Sequence, residues 1–240
     1  MVAAWGGGPP PPGPEGSNTS ARSAAARSEV SDPQGTELGL DAIAFSPSPV
    51  GGLILAGGRG SRLSRDKGCL LVGGRPIVVR VADALREVCA RVAVVGDAPL
   101  PEGLDIEVVA DAFASGGPVQ ALGAGLQALA TPFVAVAAWD MPFVSPPLLR
   151  GLLALAEGFD AVVPRREENP QPLCAVYSQS CAAAIAALDG GRNASMRSLL
   201  SRLHVRWLEG DELLPFGDPA RLFLSVNTPE ELALAQEMVG

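Results

Sequence analysis

From Val50 onward the chain alternates short apolar runs with segments of helical period, and this alternation restricts the fold more than any other feature. Val50 to Leu55 reads as a buried strand that stops at Gly57-Gly58. Residues 76–90 carry Val78, Val81, Ala82, Leu85 and Val88 or Cys89 on one helical face. Residues 91–95 and 106–109 read as strands, residues 118–130 as a helix, and residues 133–138 as an apolar strand. Ser145 caps a helix with Pro146 in its first turn, running to about Glu157. Residues 161–163 and 173–177 are expected strands, followed by helices near 178–188 and 195–203. Residues 205–208 and 222–226 also read as strands, and Thr228-Pro229-Glu230-Glu231 opens the last helix with a capping box. Strands and helices in alternation imply one α/β domain, with a mainly parallel sheet between helices on both faces. Ligands of such sheets bind outside the carboxyl ends of the strands, so chemistry is sought just after each strand.

Residues 1–48 have a different texture. They hold Gly6-Gly7-Gly8, Pro9 to Pro12 and scattered Ser, Ala and Gly, with few large apolar residues before Leu38. Such a segment buries too little to offset its ordering entropy, so a disordered tail is expected over 1–48 and a single domain over 49–240. The start lacks a basic stretch followed by an apolar run, so it does not read as a secretory signal. Ser20 to Ser28 has a faint transit-peptide composition, but acidic residues follow. No window offers the roughly 18 apolar residues of a membrane span. A cytoplasmic chain with no membrane partner is expected.

Charge and rare residues narrow the chemistry. Acids outnumber bases 26 to 18 and the formal charge is −8, which argues against a general nucleic-acid binder. Aromatics at 5% argue against a base-stacking surface. Cys69, Cys89, Cys174 and Cys181 form no C-x-x-C pair, which argues against a structural zinc site or a disulfide framework. The single histidine, His204, lies in Leu203-His204-Val205, an expected strand, where a structural or surface role is the default. Lys67 is the only lysine among eighteen basic residues. Arginine does the routine surface work in this chain, and an ammonium is a compact point charge unlike a guanidinium. Lys67 therefore calls for a specific reason.

That reason is supplied by its neighbourhood. The first strand runs into Ala56-Gly57-Gly58-Arg59-Gly60-Ser61-Arg62, and Asp66-Lys67 follows a few residues on. Glycines let successive N–H groups converge on one point, and Arg62 and Lys67 add positive charge, as a polyphosphate cradle requires. A solvated basic loop is the plainer alternative. The Walker pattern fails because Gly68 follows Lys67, and the dinucleotide pattern fails at Leu63. A second element, Trp139-Asp140-Met141-Pro142, follows the apolar strand 133–138. A carboxylate at that strand end suits Mg²⁺, which takes one or two carboxylates together with substrate phosphates. A turn or cap aspartate is the plainer alternative there. Together the two elements fit metal-assisted transfer on a nucleotide phosphate.

The same residues resemble the molybdenum cofactor guanylyltransferase (MobA) family. Leu55-Ala56-Gly57-Gly58, Arg62 and Asp66-Lys67 resemble its opening motif. Asp111, then Gly116-Gly117-Pro118-Val119, resembles its D…G-P-L-A-G segment. Asp140-Met141-Pro142 resembles C-D-M-P, Gln171 to Tyr177 resembles H-P-L-C-A-L-Y, and Val226 to Leu232 resembles N-V-N-T-P-E-D-L. The motifs come in the family's order and cover about residues 50 to 240. The resemblance implies a Rossmann-like nucleotidyltransferase fold with a mixed sheet. It implies that GTP and molybdopterin give molybdopterin guanine dinucleotide and pyrophosphate, with Mg²⁺ as cofactor and molybdoenzymes or their chaperones as candidate protein partners.

By the same resemblance Arg62, Lys67 and Asp140 are the catalytic residues. Leu55, Ala56, Gly57, Gly58, Lys67, Asp111 and Asp140 would contact GTP. Asp140 would hold the metal, with Asn227 a candidate second ligand. Pro172, Arg192 and Asn227 would lie on the molybdopterin side. The chain departs from the pattern at Ser64, Gly96, Gln120, Trp139 and Ser225, none of which removes Lys67 or Asp140. Gly96 replaces an Asn that some members direct at the nucleotide, which bears on base recognition. A cytidylyltransferase for molybdopterin, a cobinamide-phosphate guanylyltransferase and a non-catalytic molybdopterin-binding protein are the alternatives. Gly57-Gly58 favours the guanylyl form, because cytidylyl enzymes show L-A-A-G. The tail could separately serve as an interaction module.

Overall fold

The computed structural model describes residues 49–57, 67–97, 99–110, 117–188 and 194–239. The expected tail over 1–48 lies outside the described residues, as do Gly58, Arg62, Asp111 and Arg192. The chain opens with β1 (Gly51–Leu55), every residue of which is buried. A 3-10 turn (Lys67–Cys69) leads to the hairpin of β2 (Leu71–Val72) and β3 (Arg75–Pro76), then to α1 (Ile77–Arg86). Next come β4 (Arg91–Val95), β5 (Glu107–Val109), α2 (Gly117–Leu129) and β6 (Phe133–Ala138). The helix α3 (Pro146–Ala154) precedes β7 (Ala161–Arg166), β8 (Asn169–Pro170) and β9 (Cys174–Ser178). Last are α4 (Cys181–Ala186), α5 (Met196–Leu200), β10 (Val205–Glu209), a second 3-10 segment (Gly210–Phe216), α6 (Pro219–Leu222) and α7 (Pro229–Glu237).

The main sheet runs in the order β10-β7-β9-β6-β1-β4-β5, with β8 attached to β7. β1 pairs in parallel with both β4 and β6, whereas β9 runs antiparallel to β6 and β7. The sheet is therefore mixed and mainly parallel. Alternate residues of each strand feed two separate cores. Ile54, Val94, Ala135, Ala137 and Val162 pack with Ile77, Val81, Leu85, Leu148 and Leu152 of α1 and α3. Leu53, Leu55, Val134, Val136 and Val163 pack with Leu122, Leu126, Ile185 and Leu199 of α2, α4 and α5. Helices on both faces thus complete three layers. No helix among the described residues is long and apolar enough to cross a membrane.

Several expected elements differ in extent. α1 stops at Arg86 rather than at 90, because Glu87 and Val88 turn back onto Asp83 and Leu85 and free the chain to enter β4. α3 stops at Ala154 rather than near 157, closed by the N–H of Leu155 on Leu152. The helices expected over 178–188 and 195–203 shrink to α4 and α5, which start after Ser180 and Ser195. His204 lies just outside β10 in a structural role. Its N–H donates to Asp160 at 2.9 Å and its ring packs 4.7 Å from Phe159.

One expected strand is absent. Residues 222–226 form the end of α6 and an irregular segment. Asp218 caps α6 by accepting from Ala220 N, and the N–H groups of Leu222 and Phe223 donate backward to Asp218 and Pro219. Those donors are then unavailable to a sheet, although Leu222, Phe223 and Val226 still bury their side chains.

Candidate active site

The chain lays β4 and β5 on one side of β1 and β6 on the other. This reversal opens a crevice at the carboxyl ends of β1 and β6, where α/β sheets bind ligands. Leu55 and Ala138 are paired at those ends. The N–H of Trp139 donates to Leu55 O at 3.2 Å, and the N–H of Ala56 donates to Val95 O at 2.8 Å. These backbone groups of Leu55 and Ala56 tie the strand ends together. Gly96, beyond β4, has φ +142°, and a Cβ there would stand 1.5 Å from Ala56 O. The position admits no side chain, so any contact with a base from Gly96 is through its backbone.

Three residues from distant parts of the sequence meet at this edge. Lys67 is only 7% exposed, and its Nζ donates to Asn227 Oδ1 at 2.6 Å. The same Nζ lies 4.0 Å from Asp140 Oδ2. Lys67 is delivered by the 3-10 turn, Asp140 by the turn after β6, and Asn227 by the approach to α7.

Each is held by further contacts. Trp139 is buried against Gly68, where an added Cβ would come within 2.3 Å of Cε3 of the indole. The indole thereby presses the Lys67 turn toward the end of β6. The Asp140 carbonyl accepts from Val226 N at 2.9 Å, and the Pro142 carbonyl accepts from Arg80 Nε at 3.1 Å. The Asn227 N–H donates to Glu231 Oε2 at 2.6 Å, inside the capping box in which Thr228 accepts from Glu231 N. The same box that starts α7 therefore orients Asn227.

Burial raises the Asp140 carboxyl above its ordinary pKa; Lys67, its own backbone N–H and the Ser225 hydroxyl oppose the shift, and Glu231 adds to it. A carboxylate so placed favours a neighbouring cation. Asp140 and the second lone pair of Asn227 Oδ1 could hold a hard divalent ion, with substrate oxygens completing its shell. No group of three His, Cys, Asp or Glu side chains is gathered among the described residues, so an all-protein cage is not what these residues build. Thiol chemistry is disfavoured at the three buried cysteines, since burial pushes Cys89, Cys174 and Cys181 up to about 12.

A family model described as a MobA-like NTP transferase domain matches residues 52–207. The chain belongs to the MobA-like NTP transferase family. A protein of Pelotomaculum thermopropionicum named "Probable molybdenum cofactor guanylyltransferase" is 36% identical over 189 residues, 78% of this chain and 92% of that one. A protein of the same name from Natronomonas pharaonis is 38% identical and covers 79% of this chain and 98% of its own length. The crystal structure of molybdopterin-guanine dinucleotide biosynthesis protein A from Archaeoglobus fulgidus superposes with a TM-score of 0.66. It is 26% identical and covers 79% of this chain and 98% of that one.

Within this MobA-like domain the structure brings together Lys67, Asp140 and Asn227, with Leu55 and Ala56 at the adjoining end of β1 and Gly57 next in the chain. Pro172 lies one residue before Leu173, whose carbonyl accepts from Ala138 N at 2.7 Å. The buried Gln120 of α2 carries an Oε1 with no hydrogen-bond partner among the described residues. Sequence reasoning did not anticipate Glu231 and Trp139 as the residues that position the site. The capping-box spacing of Glu231 pointed to the helix start; its bond to the Asn227 N–H had no separate signal.

Proposed function

We propose that this chain transfers GMP from GTP to molybdopterin, giving molybdopterin guanine dinucleotide and pyrophosphate. The observation that carries the reading is the convergence of Lys67, Asp140 and Asn227 at the crevice between β1 and β6. It is supported by relatives named for this activity over more than three quarters of the chain. A terminal phosphate oxygen of molybdopterin attacks the α-phosphorus of GTP. The new P–O bond forms as the α–β bridging P–O bond breaks, and pyrophosphate leaves with the bonding electrons.

Little covalent work falls to the protein, which positions the substrates and neutralises charge. Lys67 and Arg62 hold the triphosphate and stabilise the departing pyrophosphate. Leu55, Ala56, Gly57, Gly58 and Asp111 form the nucleotide side, and Pro172, Arg192 and Asn227 the acceptor side. Asp140, with Asn227 as second ligand, would hold Mg²⁺. When bound, that ion offsets charge on the triphosphate. A cytoplasmic location goes with this reading, with molybdoenzymes or their chaperones as recipients of the product.

The test supplies purified chain and Mg²⁺ with molybdopterin and either α-labelled GTP or α-labelled CTP. Label should pass to the pterin from GTP and not from CTP. Transfer from CTP alone would overturn the guanylyl reading, and transfer from neither would overturn the reaction itself.

A further inference from the structure

A cavity of about 380 Å³ opens between α5 and the β10 edge, lined by Pro170, Pro172, Arg197, Leu200, Ser201 and Trp207. Its size is at the low end of small-molecule sites, which span about 300–1,000 Å³. That is room for one fused-ring system. Trp207, opposite Val163 in register, supplies an aromatic surface. The Arg165 guanidinium lies 5.4 Å from the Trp207 ring centroid and is itself paired with Glu209. The prolines add flat apolar walls, and the Pro172 carbonyl is pinned by the buried Tyr177 hydroxyl at 2.8 Å.

The polar features select charge. Arg197 is exposed at the cavity, and no carboxylate pairs with it among the described residues. In a chain of formal charge −8, an arginine left without an acidic partner beside an aromatic wall favours an anion. The cavity also shares the strand-end row of the site. Pro172 adjoins Leu173, whose carbonyl is bonded to Ala138 N, and Asp140 is two residues further along. Pro172 is thus linked to the Asp140 turn through one backbone hydrogen bond and two residues of chain, which puts this wall of the cavity beside the end of β6.

We infer that this cavity seats the fused-ring end of the acceptor, a planar heterocycle bearing an anionic group, while its phosphate reaches Asp140 and Lys67. The inference rests on the proposed transfer reaction for the identity of the acceptor. The chemistry it names, a flat anionic heterocycle, is shared with a nucleotide base, so the test separates the two.

Pterin-6-carboxylate and GTP are titrated separately into the full chain by calorimetry, for wild type, Trp207→Ala, Trp207→Phe and Arg197→Ala. Pterin-6-carboxylate binding should weaken about tenfold or more in Trp207→Ala, as lost ring stacking does elsewhere. Trp207→Phe should recover most of it, and exposed Arg197→Ala should weaken it without unfolding the chain. GTP binding should not change in any variant. Weakened GTP binding with unaltered pterin binding would make this a nucleotide pocket and overturn the inference. Absence of pterin binding to wild type, or equal binding by wild type and both alanine variants, would overturn it too. In the transfer assay, Trp207→Ala should raise the acceptor KM and leave the GTP KM alone. An unchanged acceptor KM in an active enzyme sinks this subsite only. Failure of wild type to transfer GMP sinks the parent reaction, while Trp207-dependent pterin binding would still support a ring site.

Discussion

Lys67 sits in a space that suits an ammonium. Its Nζ reaches Asn227 Oδ1 at 2.6 Å from a position only 7% exposed, and Asp140 Oδ2 is 4.0 Å away. A guanidinium is planar and wider, so Lys67→Arg should restore little of what Lys67→Ala removes. Lys67→Ala should slow nucleotidyl transfer by on the order of a hundredfold, read by single-turnover kinetics. A rate within a few fold of wild type would return Lys67 to a structural role. Asp160 shows a different use of charge. The N–H of His204 and the hydroxyl of Ser180 donate to its two oxygens at 2.9 and 2.8 Å, and these bonds hold its carboxyl below the ordinary pKa. A depressed folded pKa adds stability above the unfolded value, near pH 4, and that stability fades as pH falls through the folded pKa. Asp160→Asn can still accept from the His204 N–H and donate its NH₂ to the Ser180 oxygen, but both bonds lose their charge, which at this partly exposed position should cost about 0.5–1 kcal/mol at pH 7. Urea unfolding should show the gap narrowing toward pH 3; a gap of constant size would contradict the assignment.

At the scale of elements, the site depends on contacts between segments that are far apart in sequence. The 3-10 turn of Lys67 is pressed by Trp139, and Gly68 leaves the indole no spare room, with a Cβ placed 2.3 Å from Cε3. Gly68→Ala should therefore destabilise by about 1–3 kcal/mol through overpacking. Trp139→Leu should relieve that strain, so the double variant should lose less than the sum of the singles. Strict additivity in denaturation experiments would show that the two do not press on each other. These contacts also explain what the sequence could and could not disclose. β1, β4 and β6 were legible because β-rich apolar runs end at glycine, turn or proline signals. The start of α7 was legible in Thr228 and Glu231, whose side chains bond within one turn. The apolar run 222–226 misled because burial without regular pairing has the same composition as a strand. The informative signal was Asp218-Pro219, a helix start just upstream. The antiparallel direction of β9 left no trace, since a strand buried on both faces reads the same either way. Within the site, Lys67 and Asp140 stood out by rarity and position, whereas their 4.0 Å approach depends on folding across more than seventy residues.

For the molecule as a whole, two cores on opposite faces of one sheet fix the strand ends, and the reversal beside β1 leaves the crevice in which the polar residues meet. The surrounding acidic chain, at −8, would repel a polyphosphate substrate, so under the proposed reaction local cations and a bound metal ion would carry binding rather than the overall field. That places the strongest demand on Asp140. The deciding measurement is single-turnover transfer of α-labelled GMP from GTP to molybdopterin by Asp140→Asn, with GTP binding measured on the same protein. The predicted result is a rate lower by on the order of a hundredfold or more, with the variant folded and still able to bind GTP. A rate close to wild type would remove Asp140 from the mechanism and, with it, the assignment of chemistry to the β1–β6 crevice.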